Sequence, residues 1–474
     1  MEDTSNGPEM QVLQAFFSHV GGFACDRAKD YIEREKESSS RGGGGGVAWA
    51  SLLSALAHLA ATERAYHSMT FLGQKPASVA MLFRAINLGG FSSGGQSFFS
   101  RKDTLRSMYG SLCSELRRVT GSGAQAAAGS GGGNAAVHSE DILGHLAEQL
   151  GHLVQSRQEM ADLYEKLHGL SLGRHATPGE LLASLGAVTQ KFSSRVHHPV
   201  LSALSSSFQH ETEALGHLLR AQRDVSSWLF LPALLELHAA HAKLAAWASR
   251  GSERARDGAA APPQRKPLFG GAAQRVAPTP HLHQWMVKYK TFLLAKFSFY
   301  FHEALSRQAG GEMKSLTAKT SPDFFGKVSS FIKKTDAANV SLIFDTRGLE
   351  DSFKGHGYHY PGSYPEGLKV PAEGFVPVLS LPIERTAMHW SALSMVLAER
   401  SSELACAERV VHAYDEKAQS TYYLARPEPR FTIAVVYESR RSEKDSGVHA
   451  FLLETAAALK QSKPFASLKP GSKA

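Results

Sequence analysis

The stretch LLAKFSFYFHEAL, residues 293–305, decides how this chain is interpreted, because nearly every side of the helix it would form is apolar. In a soluble protein, such a helix is buried on most sides. A membrane span needs about 20 consecutive apolar residues, but Lys296 interrupts this run and Glu303 follows it. We therefore predict the central helix of an α-helical core, with Lys296 facing a partner or extending its amine to solvent.

The pair His302-Glu303 resembles the beginning of the zinc-protease motif H-E-x-x-H. That motif places two imidazoles one helical turn apart, so that both bind one metal ion. The fifth position here is Ser306, and no other histidine follows nearby. One imidazole and one carboxylate do not supply a tetrahedral site, so the sequence predicts no metal at this position.

The chain before this stretch has the periodicity of a helical bundle. Between residues 139 and 170, leucines recur at three- and four-residue steps, with Ser139 as the expected N-cap. Thr177-Pro178-Gly179-Glu180 predicts a capping box at the start of a further helix. We expect a disordered N-terminus at 1–10 and a helical bundle domain over 11–310. Glycine-rich or polar composition predicts flexible insertions at 39–47, 73–97, 120–137 and 251–278.

The pattern changes after residue 320, where strand-like segments appear. Asp323 is expected to cap a short amphipathic helix, and Val448 to Leu459 to form a closing helix. Strands are predicted at 339–345, 388–397, 421–425 and 431–439, and a helix at 402–416. Residues 376–381 are expected to form either a further strand or part of a loop. These elements predict an α+β domain over 321–461 with a long loop at 347–387. Residues 462–474 are expected to form a basic tail that is solvated and frayed, with contact between its lysines and an anionic membrane surface as the alternative.

Composition narrows the class of protein. The formal net charge of +8 permits attraction to acidic partners, but the charge is spread along the chain. The three cysteines, Cys25, Cys113 and Cys406, are far apart, so the sequence predicts no disulfide framework and no cysteine-rich zinc site. The polar, acidic beginning is not that of a signal peptide. Nothing in these features indicates nucleic-acid binding.

Several short motifs only approach a catalytic pattern. Residues 95–99 lack the last glycine of a nucleophile elbow, and residues 323–326 resemble a kinase magnesium loop without the other kinase signatures. The pairs His145 and His152, and His356 and His359, are too few for a metal site without further ligands. The sequence therefore names no catalytic, cofactor-binding or metal-binding residue, and no cofactor is expected.

Longer segments resemble one known family, the DUF2003-type small subunits of the KICSTOR complex. The segments that carry the resemblance are LAHLAATERAYHSMTFLGQK (56–75), GGQSFFSRKD (94–103), SSRVHHPVLS (193–202), LLAKFSFYFHEALSRQ (293–308), the stretch 313–345, GHGYHYPGSY (355–364), RPEPRFTI (426–433) and FASLKPGSKA (465–474). They extend from about residue 50 to the C-terminus. The chain departs from the family pattern at 76–93, where it carries PASVAMLFRAINLGGFSS.

The resemblance implies a non-catalytic scaffold or adaptor. Its implied partners are the large, seizure-threshold-type KICSTOR subunit, kaptin, an integrin-FG-GAP-repeat protein and the GATOR GTPase-activating complex. The implied role is to recruit GATOR to the lysosome and to restrain TOR complex signalling when amino acids or glucose are scarce. The expected location is the cytoplasm, peripherally on the lysosomal membrane through indirect association. A role in cilium assembly is also implied.

We predict an α+β fold, mostly α, in which an N-terminal multi-helix bundle precedes a smaller roadblock/longin-like domain with a mostly antiparallel sheet. The label roadblock/longin-like rests on fold analogy with modules that are common in GTPase regulators. Two other classes stay open at this point: a direct regulator that binds a small GTPase through the α+β domain, and a hydrolase or metal enzyme.

Overall fold

The computed structural model describes residues 7–42, 46–72, 105–129, 134–257, 279–309, 312–313, 315, 320–349, 374–382, 386–406, 409–460 and 462–471. Its internal contacts divide the chain into two compact units. The helical unit comprises residues 1–214, 242–286 and 466–474, and the sheet unit comprises residues 215–241 and 287–465. The fold is α+β and mostly α, which confirms the predicted class.

In the described part of the chain, nine helices of 14 or more residues precede residue 301. They are α1 (Pro8–Gly21), α2 (Cys25–Gly42), α3 (Val47–Ser68), α4 (Leu105–Gly129), α5 (Asn134–Leu170), α6 (Pro178–Arg195), α7 (Ser202–Ser226), α8 (Phe230–Asp257) and α9 (His281–Tyr300). A short 3₁₀ turn, Pro199–Leu201, precedes α7.

Local sequence explains where some of these helices begin and how closely they pack. The predicted capping box is present, because the Thr177 side chain accepts from the Glu180 amide at 3.2 Å and Glu180 accepts from the Thr177 amide at 3.0 Å. At the end of α1, Gly21 lies so close to α7 that a Cβ there would be 2.7 Å from the Ala203 carbonyl oxygen. Only glycine permits that approach.

The central stretch is buried as predicted. Leu293, Phe297 and Tyr300 are each at most 2% exposed. Helix α9 ends at Tyr300, and α10 (His302–Ala309) follows after Phe301. Lys296 does not reach solvent, because it is fully buried. Of the two alternatives predicted for it, the structure supports the one in which Lys296 faces a partner, Glu428. Among the described residues, no helix is both long enough and apolar enough to cross a membrane.

The sheet unit contains the C-terminal strands and their helices. After α11 (Phe324–Thr335) come β1 (Asn339–Asp345), β2 (Phe375–Leu381), α12 (Thr386–Glu399), α13 (Ser401–Leu404), β3 (Val410–Asp415), β4 (Ser420–Glu428), β5 (Phe431–Tyr437), α14 (Ser446–Leu459) and α15 (Ser462–Ala466). The described strands form one antiparallel sheet in the order β2-β1-β5-β4-β3. The Asp323 side chain caps α11 at the Gly326 amide, as predicted.

Aromatic side chains form the core between helices and sheet within this unit. Tyr300 of α9 lies 4.3 Å, between ring centroids, from Phe431 of β5. Phe431 in turn lies 4.9 Å from Phe344 of β1. Trp228, just before α8, packs 5.5 Å from Phe344. Residues far apart in sequence therefore build one core beneath the sheet.

Two predictions of secondary structure in this unit were wrong. Residues 388–397, predicted as a strand, belong to helix α12. Its apolar residues Leu393 and Leu397 are buried at four-residue spacing, whereas Met388 and Met395 are exposed. The predicted helix at 402–416 ends at Leu404, and strand β3 begins at Val410. In both places the short apolar run fits either period, and packing against the sheet decides the outcome.

Helices also extend into segments predicted to lack structure. Helix α1 begins at Pro8, α2 continues to Gly42, α4 continues to Gly129, and α8 continues to Asp257. Helix α5 begins at Asn134 rather than after the expected cap Ser139. Alanine and charged side chains in these segments have high helix propensity, which outweighs the nearby glycines. The insertion 76–93 lies outside the described residues.

The C-terminal segment is not a frayed tail where the structure describes it. Phe465 is 2% exposed and Leu468 is fully buried. Within the sheet unit, Phe465 packs 5.3 Å from the ring of Tyr289. Within the helical unit, His281 Nε2 contacts the Leu468 carbonyl oxygen at 3.1 Å. The lysine spacing that suggested a solvated tail concealed these two apolar anchors.

Candidate protein-interaction surfaces and buried charge clusters

The described histidines that the sequence analysis considered as metal ligands contact other protein groups. The His302 ring stacks on Phe325 at 4.0 Å between centroids. His145 contacts Gln149, whose side-chain oxygen accepts from the backbone amides of His197 and His198 at 3.0 and 2.7 Å. Within the described parts of the chain, no group of three or more His, Cys, Asp or Glu side chains is arranged to hold a metal ion. Residues 95–99, His356 and His359 lie outside the described residues.

The helical unit contains a buried charge cluster made of one arginine and two glutamates. Arg157 of α5 lies between Glu63 of α3 and Glu211 of α7, and all three side chains are fully buried. Its Nε donates to Glu63 Oε1 at 3.1 Å, and its Nη1 pairs with Glu211. Its Nη2 lies 3.0 Å from Glu63 Oε2, an ion-pair contact without hydrogen-bond geometry. The cluster therefore joins three helices through one cation.

Aromatic hydroxyls complete this cluster. Tyr66 and Tyr164 donate to the same oxygen of Glu211 at 2.5 and 3.0 Å. The Arg157 guanidinium also lies 4.5 Å from the Tyr66 ring centroid. Burial acts to lower the pKa of Arg157, but Glu63 and Glu211 outweigh it and raise that pKa well above its ordinary value. Burial raises the pKa of Tyr66, and the charge of Glu211 raises it further. Arg157 is therefore charged and Tyr66 is neutral at physiological pH.

A second buried charge cluster lies in the sheet unit. Lys296 of α9 donates to Glu428 Oε1 of β4 at 2.5 Å. Ser226 donates to the same oxygen at 2.6 Å, and Tyr300 donates to Glu428 Oε2 at 2.8 Å. Burial lowers the pKa of Lys296, while Glu428 opposes that shift. This ion pair explains why a lysine lies in an otherwise apolar stretch. Lys296 donates a hydrogen bond to the carboxylate of Glu428, which β4 directs into the core.

Four leucines, which we call the leucine surface, are exposed together in the sheet unit. Leu231, Leu234 and Leu235 of α8 are 44%, 39% and 59% exposed, and Leu294 of α9 is 41% exposed. The Phe230 and Phe297 rings lie 5.2 Å apart and His241 meets Lys290 at 3.0 Å, so the two helices run antiparallel here. Counting along both helices places Leu234 near the level of Leu294.

The charges around the leucine surface are mainly positive. Lys288 is exposed on α9, and the amine of Lys290 donates to His241 Nδ1. The nearby carboxylate, Glu236, is held by Arg220 at 3.0 Å and lies 2.6 Å from His217 Nδ1. Its charge is therefore met within the unit, whereas neither lysine forms an ion pair among the described residues.

An open cleft in the helical unit is also lined by charges. It has a volume of about 620 Å³. Arg106, at its edge, pairs with Asp162 at 2.5 Å and with Glu165 at 3.3 Å. Because these charges already satisfy each other and the side chains are exposed, the cleft shows no converging set of groups directed at a ligand.

A family model and two individual relatives all relate this chain to the same group of proteins. The family model described as "KICSTOR complex C12orf66 like" matches residues 3–473. The chain belongs to this family. It is 51% identical to the protein named KICSTOR subunit 2 of Xenopus laevis over 465 residues, which cover 98% of this chain and 97% of that protein. It is 52% identical to KICSTOR subunit 2 of Danio rerio over 467 residues, which cover 98% and 96% of the two chains. None of these descriptions names a catalytic activity.

In this KICSTOR-family chain, the sequence did not reveal the cluster around Arg157, and for Lys296 it predicted a partner only as one of two alternatives without naming it. Glu63, Lys296 and Glu428 nevertheless lie in three of the segments that carried the resemblance. A charged residue inside an apolar helical face is the signal that could have identified them, because such a residue needs a buried partner. The identity of the partner could not be predicted, since 132 residues separate Lys296 from Glu428.

Proposed function

We propose that this chain is a non-catalytic adaptor subunit of a KICSTOR complex. The observation that carries the proposal is the family match over residues 3–473, together with two relatives, each named KICSTOR subunit 2 and aligned over almost their whole length. The geometry is consistent with that role. Buried charge clusters tie helices together inside each unit, and the leucine surface leaves apolar side chains available for a partner.

The proposed role of the adaptor is to recruit the GATOR GTPase-activating complex to the lysosome. There it would restrain TOR complex signalling during amino-acid or glucose deprivation, together with the large KICSTOR subunit, kaptin and the integrin-FG-GAP-repeat protein. This part of the proposal is supported by the family resemblance. The physical mechanism is effective concentration: a scaffold that binds several partners makes their encounter intramolecular. Its membrane association would be peripheral and indirect.

Affinity purification of the tagged full chain from cells that express it naturally, followed by quantitative mass spectrometry, tests the complex. The expected result is stoichiometric recovery of the large subunit, kaptin and the FG-GAP protein. Cells that lack the chain should keep TOR signalling active during amino-acid deprivation and lose GATOR from the lysosomal fraction, and re-expression should restore both. Failure to recover the large subunit and kaptin would contradict the adaptor function.

The second candidate is direct binding of a small GTPase through the sheet unit. One observation favours it: β3 is an edge strand that, among the described strands, pairs only with β4. An unpaired strand edge can accept a strand of another protein. The full chain, immobilised alone, should then bind a GTPase in a nucleotide-dependent manner. The adaptor function instead predicts no such binding until the other KICSTOR subunits are added.

A further inference from the structure

We infer that the leucine surface is a docking site for an acidic amphipathic helix of another polypeptide. The inference names a partner class for the adaptor function proposed above and rests on it. The partner helix would carry apolar residues at three- and four-residue steps and carboxylates along their flanks. Nothing in the family description assigns this surface a role.

The first argument is the arrangement of the apolar side chains. Leu231, Leu234 and Leu235 follow the i, i+3, i+4 pattern of a helix face, but that face is turned to solvent. The opposite face of α8 is occupied, since Phe230, Ala233 and Leu237 are at most 5% exposed. A contiguous exposed apolar patch with a polar rim is typical of an interaction site. Leu294 of the neighbouring helix α9 lies near the level of Leu234, and an amphipathic helix is the element that places apolar anchors at matching intervals.

The charges near the leucine surface are complementary to an acidic partner. Lys288 and Lys290 lie on α9 toward one end of the leucine surface, and Glu236 is held by Arg220. At the other end is the N-terminus of α8, which has a positive dipole end and no acidic residue in its first turn. Lysines thus lie toward one end of the apolar patch and a positive helix end at the other, where Glu303 is already paired with Arg307 at 2.5 Å. Complementary potentials select partners and speed their encounter, so carboxylates on the incoming helix are favoured.

Other occupants fit these observations less well. A second copy of the chain would bring the same positive rim and a net charge of +8, which disfavours self-association through this surface. Residues 258–278 of this chain contain arginine and lysine and no carboxylate. Residues 73–104 contain four basic residues and one aspartate. Neither segment supplies the acidic flanks that the rim requires. Residues 350–373 contain four carboxylates, but also four glycines and three prolines, a composition that disfavours an amphipathic helix.

A pair of designed peptides tests the inference on the full chain. Both are helical peptides of roughly 18 residues, about five turns long, with leucines at matching positions; one has glutamates and the other lysines on its flanks. Fluorescence anisotropy should show at least tenfold tighter binding of the glutamate peptide. That binding should weaken when salt rises from about 0.1 M to about 1 M, because exposed charges are screened.

Three variants give this assay its controls. The double variant Leu234→Glu/Leu235→Glu should weaken binding of the glutamate peptide at least tenfold. The variant Lys288→Glu/Lys290→Glu should reverse the preference toward the lysine peptide. Met388→Glu, at a 76% exposed position on α12, should change neither affinity. Equal binding of the two peptides, or an equal loss in Met388→Glu, would overturn the inference.

Photo-crosslinking in cells separates this inference from the adaptor function. A benzoylphenylalanine at position 235 should crosslink to a segment of a co-purifying subunit whose sequence is amphipathic and acidic. Absence of adducts, or adducts to a second copy or to this chain's own residues 73–104, 258–278 or 350–373, would overturn the docking inference while KICSTOR subunits are still recovered. Loss of those subunits from the unsubstituted chain would instead reject the adaptor function.

Discussion

Replacement of Arg157 by alanine should strongly destabilise the helical unit. The substitution leaves Glu63 and Glu211, both fully buried, without their cation. Removing one partner of a buried ion pair costs about 3–5 kcal/mol, and the lost contact with the Tyr66 ring adds about 1 kcal/mol. At about 2 °C per kcal/mol for a unit of this size, the unfolding midpoint should fall by roughly 8–12 °C.

Differential scanning calorimetry of the full chain measures this effect, and Arg106→Ala is the matched control. Arg106 also pairs with two carboxylates, but its side chain is 66% exposed. Exposed pairs contribute about 0–1 kcal/mol, so the control should shift the midpoint by at most about 2 °C. If Arg157→Ala and Arg106→Ala lower the midpoint equally, burial of the charges does not determine their importance and the reasoning is refuted.

A triple variant distinguishes the energetic cost of leaving buried charges unpaired from the cost of losing packing contacts. Arg157→Met/Glu63→Met/Glu211→Gln removes every charge but keeps an oxygen that can accept from the tyrosine hydroxyls. It should be within about 2 kcal/mol of the unsubstituted chain, because apolar replacement of a whole buried cluster is often neutral. If the triple variant is no more stable than Arg157→Ala, the cost comes from packing instead.

Three further predictions use the same calorimetric or denaturant measurements. Lys296→Met should cost about 2–4 kcal/mol by leaving Glu428 unpaired, and Lys296→Met/Glu428→Gln should recover most of that loss. Burial lowers the pKa of His67, with Arg157 contributing, and that of His283. The unfolded chain then binds more protons below its histidine pKa of about 6.5, so stability should fall as pH drops from about 7 to about 5, and less so in His67→Gln/His283→Gln. Phe465→Ala should cost about 3–5 kcal/mol, whereas a frayed tail would show no change.

The class of the fold and much of its local structure were predictable because they depend on short-range patterns. The capping box at Thr177 and the cap at Asp323 act within three residues, and the burial of residues 293–301 follows from their continuous apolarity. Residues 388–397 were misassigned because this run, apolar or small at every position but His389, fits both periods. Only the packing of Leu393 and Leu397 on the sheet selects a helix.

The partners of the buried charges could not be predicted from the sequence. Lys296 is visibly anomalous in an apolar helix, but several carboxylates were equally available to it. Its pairing with Glu428 depends on how β4 meets α9, which is a property of the tertiary fold. The leucine surface could not be predicted either, because its leucines do not stand out in the sequence. They continue an ordinary bundle pattern, and only the structure shows that no described element covers them.

The core beneath the sheet has a practical consequence for anyone who wishes to express the sheet by itself. A fragment that begins at residue 321 would lack Trp228 and Tyr300, which cover Phe344 and Phe431, and it would strand Glu428 without its lysine. Such a fragment is expected to fold poorly and to aggregate. A negative pull-down with it would therefore say nothing about binding, and a usable minimal version must carry both 215–241 and 287–465, joined by an artificial connector.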